Sequence, residues 1–124
     1  MLVNQQVSFG YCPQLKNVVS LDAYTGKTLP REERTLEHIK PHSKKGRDIN
    51  NIGNLLITER DINGQRQNTR FDKWLNKRPD IIKNIQDYLN KLRGLKIDGV
   101  NYVEEVKKTL NSEARGVVTF QGNK

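Results

Sequence analysis

Both histidines of the chain lie in one short stretch, LEHIKPHSKKG, as His38 and His42, and Glu37 precedes the first. Two imidazoles four residues apart can share a metal when a helix stacks them on one face. Pro41 stands between them, and a proline inside a helix costs about 3 kcal/mol. The helical pair is therefore disfavoured, and the two histidines are expected to act separately. A neutral imidazole near pH 7 can take a proton from water. A neighbouring carboxylate can hold a hard cation. The bland reading makes His38 a hydrogen-bonded residue at a strand end and Glu37 a surface carboxylate. Asn54 and Asn63, taken alone, read as turn or cap residues.

The elements that must position these groups are short. RTLEHI reads as a strand that stops at Pro41, and NLLIT as a short buried strand. HSKKGRDINNIGN between them is a polar loop rich in Gly, Asn, Asp and Ser. A helix is expected to begin near Glu59 or Arg60, weakened by Gly64. Thr69 and Asp72 have capping-box spacing for a further helix with Phe71, Trp74 and Leu75 on one face. Those two aromatics are expected in the core, and Tyr24 under a turn. Pro79 suits a helix start, Ile81, Ile85, Leu89 and Leu92 recur at helical spacing, and Gly94 suits its end. Asn101 and Glu104 offer a second capping pair, followed by Val103, Val106 and Leu110. Residues 1–30 read as irregular or β-rich, with QVSF and NVVSL as strand candidates and YTGK as a turn. GVVTF near the end is a last strand candidate.

Composition sets the limits. The chain of 124 residues suits one domain. Hydrophobic residues make up 34% and the mean hydropathy is -0.81, so the core must be small and the surface charged. No apolar run approaches membrane-span length and the N-terminus lacks a signal-peptide pattern, which points to a cytoplasmic protein with no membrane partner. The single cysteine, Cys12, rules out an intrachain disulfide and reads as a small apolar residue. The formal charge is +8, and residues 40–78 hold ten basic and four acidic side chains, +6 of that total. A basic excess concentrated in this way favours a polyanion partner such as nucleic acid, and an ordinary solvated face is the alternative that charge alone leaves open.

The ordered pattern Glu37-His38-Ile39-x-Pro41-x-Ser43, then Gly46, Asn54-Leu55 and Asn63, resembles the HNH endonucleases. The likeness is strongest to the HNH domains of RNA-guided CRISPR effector nucleases and to phage and restriction relatives. AYTGKTLP resembles the tyrosine-turn segment before their motif, and NTRFDKWL resembles a run after it. Together these cover about residues 21–75. The resemblance implies an α+β protein with a ββα-metal core of two strands, a loop and a helix, extended by C-terminal helices at about 79–115, all in one domain over residues 1–124. It implies His38 as general base, Asn54 orienting the His38 ring, and Glu37 with Asn63 holding magnesium, or manganese in its place. Glu37 departs from the more frequent aspartate by one methylene. Arg66 falls where relatives carry a phosphate-contacting base. Lys44, Lys45, Arg47 and Arg70 are counted with it as nucleic-acid contacts, and His42 is left as a loop residue.

Many relatives also hold a structural zinc on two cysteine pairs. Those positions carry Asp22, Thr25, Glu59 and Ile62 here, so no structural zinc is expected and apolar packing by the C-terminal helices should take over its role. The implied activity is metal-dependent hydrolysis of DNA phosphodiester bonds, with RNA left open as substrate. Two alternatives stand beside it: a non-catalytic nucleic-acid-binding module of the same fold, and a nuclease domain that works with a protein partner or within a larger effector.

Overall fold

In the computed structural model, which describes residues 13–40 and 51–121, the two short apolar segments pair as an antiparallel hairpin. Strand β1 (Arg34–His38) and strand β2 (Leu55–Glu59) run in register from Arg34 opposite Glu59 to His38 opposite Leu55. β2 carries a continuous apolar run, and Leu55 through Thr58 are all buried. Its second edge is not left open. The Ala23 N–H donates to the Ile57 carbonyl at 2.8 Å, the Ile57 N–H donates to the Tyr88 hydroxyl at 3.1 Å, and the Tyr102 hydroxyl donates to the Leu55 carbonyl at 2.6 Å. An edge whose polar groups are paired in this way cannot recruit another strand.

Five helices surround the hairpin among the described residues. Helix α1 (Pro13–Val18) replaces part of the strand expected at NVVSL, because Leu15 and Val19, four apart, are both fully buried on one helical face. Helix α2 (Arg60–Arg66) follows β2 directly and buries Ile62 and Arg66, again four apart. Helix α3 (Phe71–Lys77) buries Phe71, Trp74 and Leu75 as expected, but its cap differs. The Asp72 carboxylate takes two hydrogen bonds from the Arg70 guanidinium, each 2.9 Å, and Thr69 lies before the capping position. Helix α4 (Asp80–Lys91) begins after Pro79, whose φ of -64° suits the first turn. Helix α5 (Tyr102–Ala114) is capped by the Asn101 side chain, which accepts from the Glu104 N–H at 3.0 Å.

A second hairpin joins α4 to α5. Strands β3 (Lys96–Ile97) and β4 (Val100–Asn101) turn through Asp98 and Gly99, both at positive φ, 52° and 78°. Asp-Gly is a strong two-residue hairpin signal. GVVTF is not a strand: Arg115 and Gly116 turn the chain in the left-handed region, and Phe120 is buried with its N–H bonded to the Asn111 side chain at 2.6 Å. The protein is therefore an α+β molecule, with two small antiparallel sheets among the described residues. Among the described residues no helix is long and apolar enough to cross a membrane. QVSF, Cys12, His42, Lys44, Lys45 and Arg47 lie outside the described residues.

Candidate active site

Residues of β1 point alternately to opposite faces. Thr35 and Glu37 share the face that meets α2. Asn63 Nδ2 donates to Thr35 Oγ1 at 3.2 Å and to the Leu36 carbonyl at 3.5 Å, and Arg66 Nη1 donates to Glu37 Oε2 at 2.7 Å. Glu37, Asn63 and Arg66 are thus brought together where the hairpin meets the helix. His38 is the last residue of β1 and is half-buried.

Glu37 is only 3% exposed. Its Oε2 accepts from Arg66 and also from the Tyr24 hydroxyl at 2.7 Å. Burial pushes the Glu37 carboxyl up, and Arg66 and the Tyr24 hydroxyl pull against that. Burial holds the Tyr24 hydroxyl well above its ordinary range, with the Glu37 charge adding to the rise, so it serves as a donor at any working pH. Tyr24 is a site residue that sequence reasoning placed only under a turn. The signal for it was the AYTGKTLP segment, which puts its ring beside the strand that carries Glu37.

Arg66 corrects the sequence reading. It was expected to reach phosphate, yet it is 1% exposed and its donors are spent internally. Nη1 bonds Glu37 and the His38 carbonyl, Nη2 bonds the Ile39 carbonyl at 2.7 Å, and Nε bonds the Thr69 carbonyl at 2.9 Å. The guanidinium also lies over the Phe71 ring, 5.5 Å from its centre. A cation so satisfied is not available to a phosphate. Arg70 is half-exposed but lies apart from this cluster, paired with Asp72 at the start of α3.

Asn54 extends the strand pairing beyond His38. Its carbonyl accepts from the Ile39 N–H at 2.9 Å, its Oδ1 accepts from the Lys40 N–H at 2.8 Å, and its Nδ2 donates to the Lys40 carbonyl at 3.2 Å. These bonds fix the backbone that follows His38. Asp22 was considered only as a missing zinc ligand, and it has a distinct role. Its Oδ1 accepts from the Tyr24 and Thr25 N–H groups at 2.8 and 3.2 Å, and its Oδ2 accepts from the Glu59 N–H at 3.0 Å. A carboxylate therefore cross-links the 22–25 turn to the end of β2.

A cation would need oxygen atoms that this network leaves over. Among the described residues no three His, Cys, Asp or Glu side chains converge. Magnesium does not need three, because it keeps several waters. Asn63 turns its Nδ2 to β1, and its Oδ1 has no partner among the described residues. Glu37 has both donors on Oε2, and Oε1 has no partner among the described residues. One carboxylate oxygen and one amide oxygen suit a hard, mostly hydrated cation, although Arg66 already offsets part of the Glu37 charge. No family model matches the chain, and no curated protein or solved structure shows significant similarity to it.

Proposed function

We propose that this protein is an HNH-type endonuclease that hydrolyses DNA phosphodiester bonds, with β1, β2 and α2 forming a ββα-metal unit. The observation that carries the reading is the seat of α2 directly after the hairpin, with Asn63 hydrogen-bonded to β1 next to Glu37. That is the juxtaposition the sequence pattern calls for. His38 accepts the proton of a water molecule as its oxygen attacks phosphorus. The P–O bond to the leaving sugar oxygen breaks, and that oxygen is protonated from solvent. Asn54 and Arg66 hold the backbone from His38 to Lys40, so that the imidazole is presented from a rigid strand end. Glu37 and Asn63 would hold a magnesium or manganese ion, which when bound supplies positive charge for the phosphate and the leaving oxygen. A cytoplasmic location gives the enzyme access to DNA.

The test is nicking of supercoiled plasmid in magnesium. His38→Ala should slow cutting by at least about 100-fold, the scale of a lost general base. Asn63→Ala should raise the magnesium concentration needed. A wild-type protein that cuts no form of DNA, or a His38→Ala variant that cuts at the wild-type rate, sinks the mechanism.

The engagement of Glu37 by Arg66 and Tyr24 favours a second reading, a binding module of the same fold without catalysis. Calorimetric titration with manganese separates the two. Heat of binding that disappears in Asn63→Ala supports the enzyme, and DNA binding with no metal heat supports the module.

A further inference from the structure

We infer that a cleft between the end of the β1–β2 hairpin and α5 binds a backbone phosphate of the DNA strand, adjacent to the phosphate that is cut. The inference rests on the nuclease reading and extends the binding surface to the C-terminal helix. The cleft has a volume of about 290 Å³. Lys40, Asn51 and Asn54 form one wall, and Lys108, Ser112 and Glu113 of α5 form the other.

Every residue lining the cleft is polar or charged, which favours a polar ligand over an apolar one. Two lysines come from separate elements, and Thr109 and Ser112 add hydroxyls to the lining. That set matches an oxyanion with a spread of acceptor oxygens. Lys40 follows His38 by two residues, and the Asn54 side chain grips both its N–H and its carbonyl. The lysine is therefore anchored relative to the candidate base. Lys108 and Ser112, four apart, share one face of α5. The helix is fixed against the turn before β2, where a Cβ on Gly53 would stand 3.0 Å from the Glu105 carbonyl. The exposed Lys108–Glu105 pair at 3.3 Å is too weak to keep Lys108 from a phosphate.

Glu113 sets the polarity of the cleft. A carboxylate repels phosphate, so the anion sits at the lysine end.

The experiment is fluorescence anisotropy of a labelled duplex oligonucleotide, without divalent metal, across a salt series. Lys108→Gln and Lys40→Gln should each weaken binding by roughly 3- to 10-fold and lower the steepness of the log K against log salt plot by about 0.9. Glu113→Gln should tighten binding by a few-fold. Lys83→Gln on α4 and Glu104→Gln at the start of α5 serve as charge-matched controls and should shift binding less. If Lys108→Gln and Glu113→Gln behave like these controls while the wild type still cuts, the cleft proposal fails and the nuclease reading stands. If the predicted shifts appear in a protein that never cuts, the phosphate site stands and catalysis fails. A wild type that does not bind DNA overturns both.

Discussion

At the scale of single residues, the Arg66 side chain decides how β1 ends. It gathers Glu37, the carbonyls of His38 and Ile39, and the carbonyl of Thr69 into one fork. Removing one member of a buried ion pair leaves the other charge uncompensated, at a cost of about 3–5 kcal/mol. Arg66→Ala should destabilise the protein by that amount in urea unfolding. Arg66→Lys should recover little, because an ammonium cannot span four acceptors in a plane. Adding Glu37→Gln to Arg66→Ala should restore part of the loss, since the stranded carboxylate is then gone. A loss below about 1 kcal/mol for Arg66→Ala would show that the pair is not formed in solution. The sequence could point to Glu37, His38, Asn54 and Asn63, because their order and spacing carry information. It could not show where Arg66 goes. Its partner Glu37 is 29 positions away, and an arginine on a short polar helix reads as a surface charge. Asp22 was hidden for the same reason: its third hydrogen bond, to Glu59, spans 37 positions.

At the scale of elements, two helices hold the inner strand through a pair of tyrosines. Tyr102 donates its proton to the Leu55 carbonyl, so the proton between the two hydroxyls, 2.8 Å apart, belongs to Tyr88. The Tyr88 oxygen then accepts from the Ile57 N–H. The order Ile57 N–H to Tyr88 to Tyr102 to Leu55 carbonyl closes the free edge of β2 with α4 and α5. Tyr88→Phe breaks it twice, leaving a buried N–H unpaired and Tyr102 without its donor. A stranded buried donor costs about 1–3 kcal/mol. The variant should lose stability in that range, and the Ile57 amide should exchange with deuterium faster than its neighbours. Unchanged exchange at Ile57 would mean the tyrosine does not cap the strand. The periodic helices α4 and α5 were readable because their buried residues repeat every three to four positions. The tyrosines were not, since a hydroxyl in a helical stripe gives no sign of the strand it bonds. The β3–β4 turn was overlooked although Asp98-Gly99 announces it. GVVTF failed as a strand because, among the described residues, no strand lies beside it to pair with it.

At the scale of the whole molecule, the motif region and the C-terminal helices form a single core rather than a catalytic unit with an appendage. The pattern read from the sequence ends near residue 75, yet the contacts cross that line repeatedly. Asn84 on α4 donates to the Tyr24 carbonyl at 2.7 Å, α5 seats against Gly53, and Tyr88 and Tyr102 hold β2. The described core runs unbroken from Leu15 to Phe120. Trp74, the single tryptophan, is 2% exposed and packs 5.7 Å from the Tyr24 ring, so its fluorescence reports on the motif half. Far-UV circular dichroism is dominated by α4 and α5, the longest helices described. A shared core should unfold as one cooperative unit, so the two signals should trace a single urea transition with one midpoint. The fluorescence midpoint should also move with the dichroism midpoint in Tyr88→Phe, although that substitution lies in the other half. Separate midpoints, or a Tyr88→Phe effect confined to dichroism, would show that the helices form an independent unit, and the cleft between the hairpin and α5 would then lack a fixed second wall.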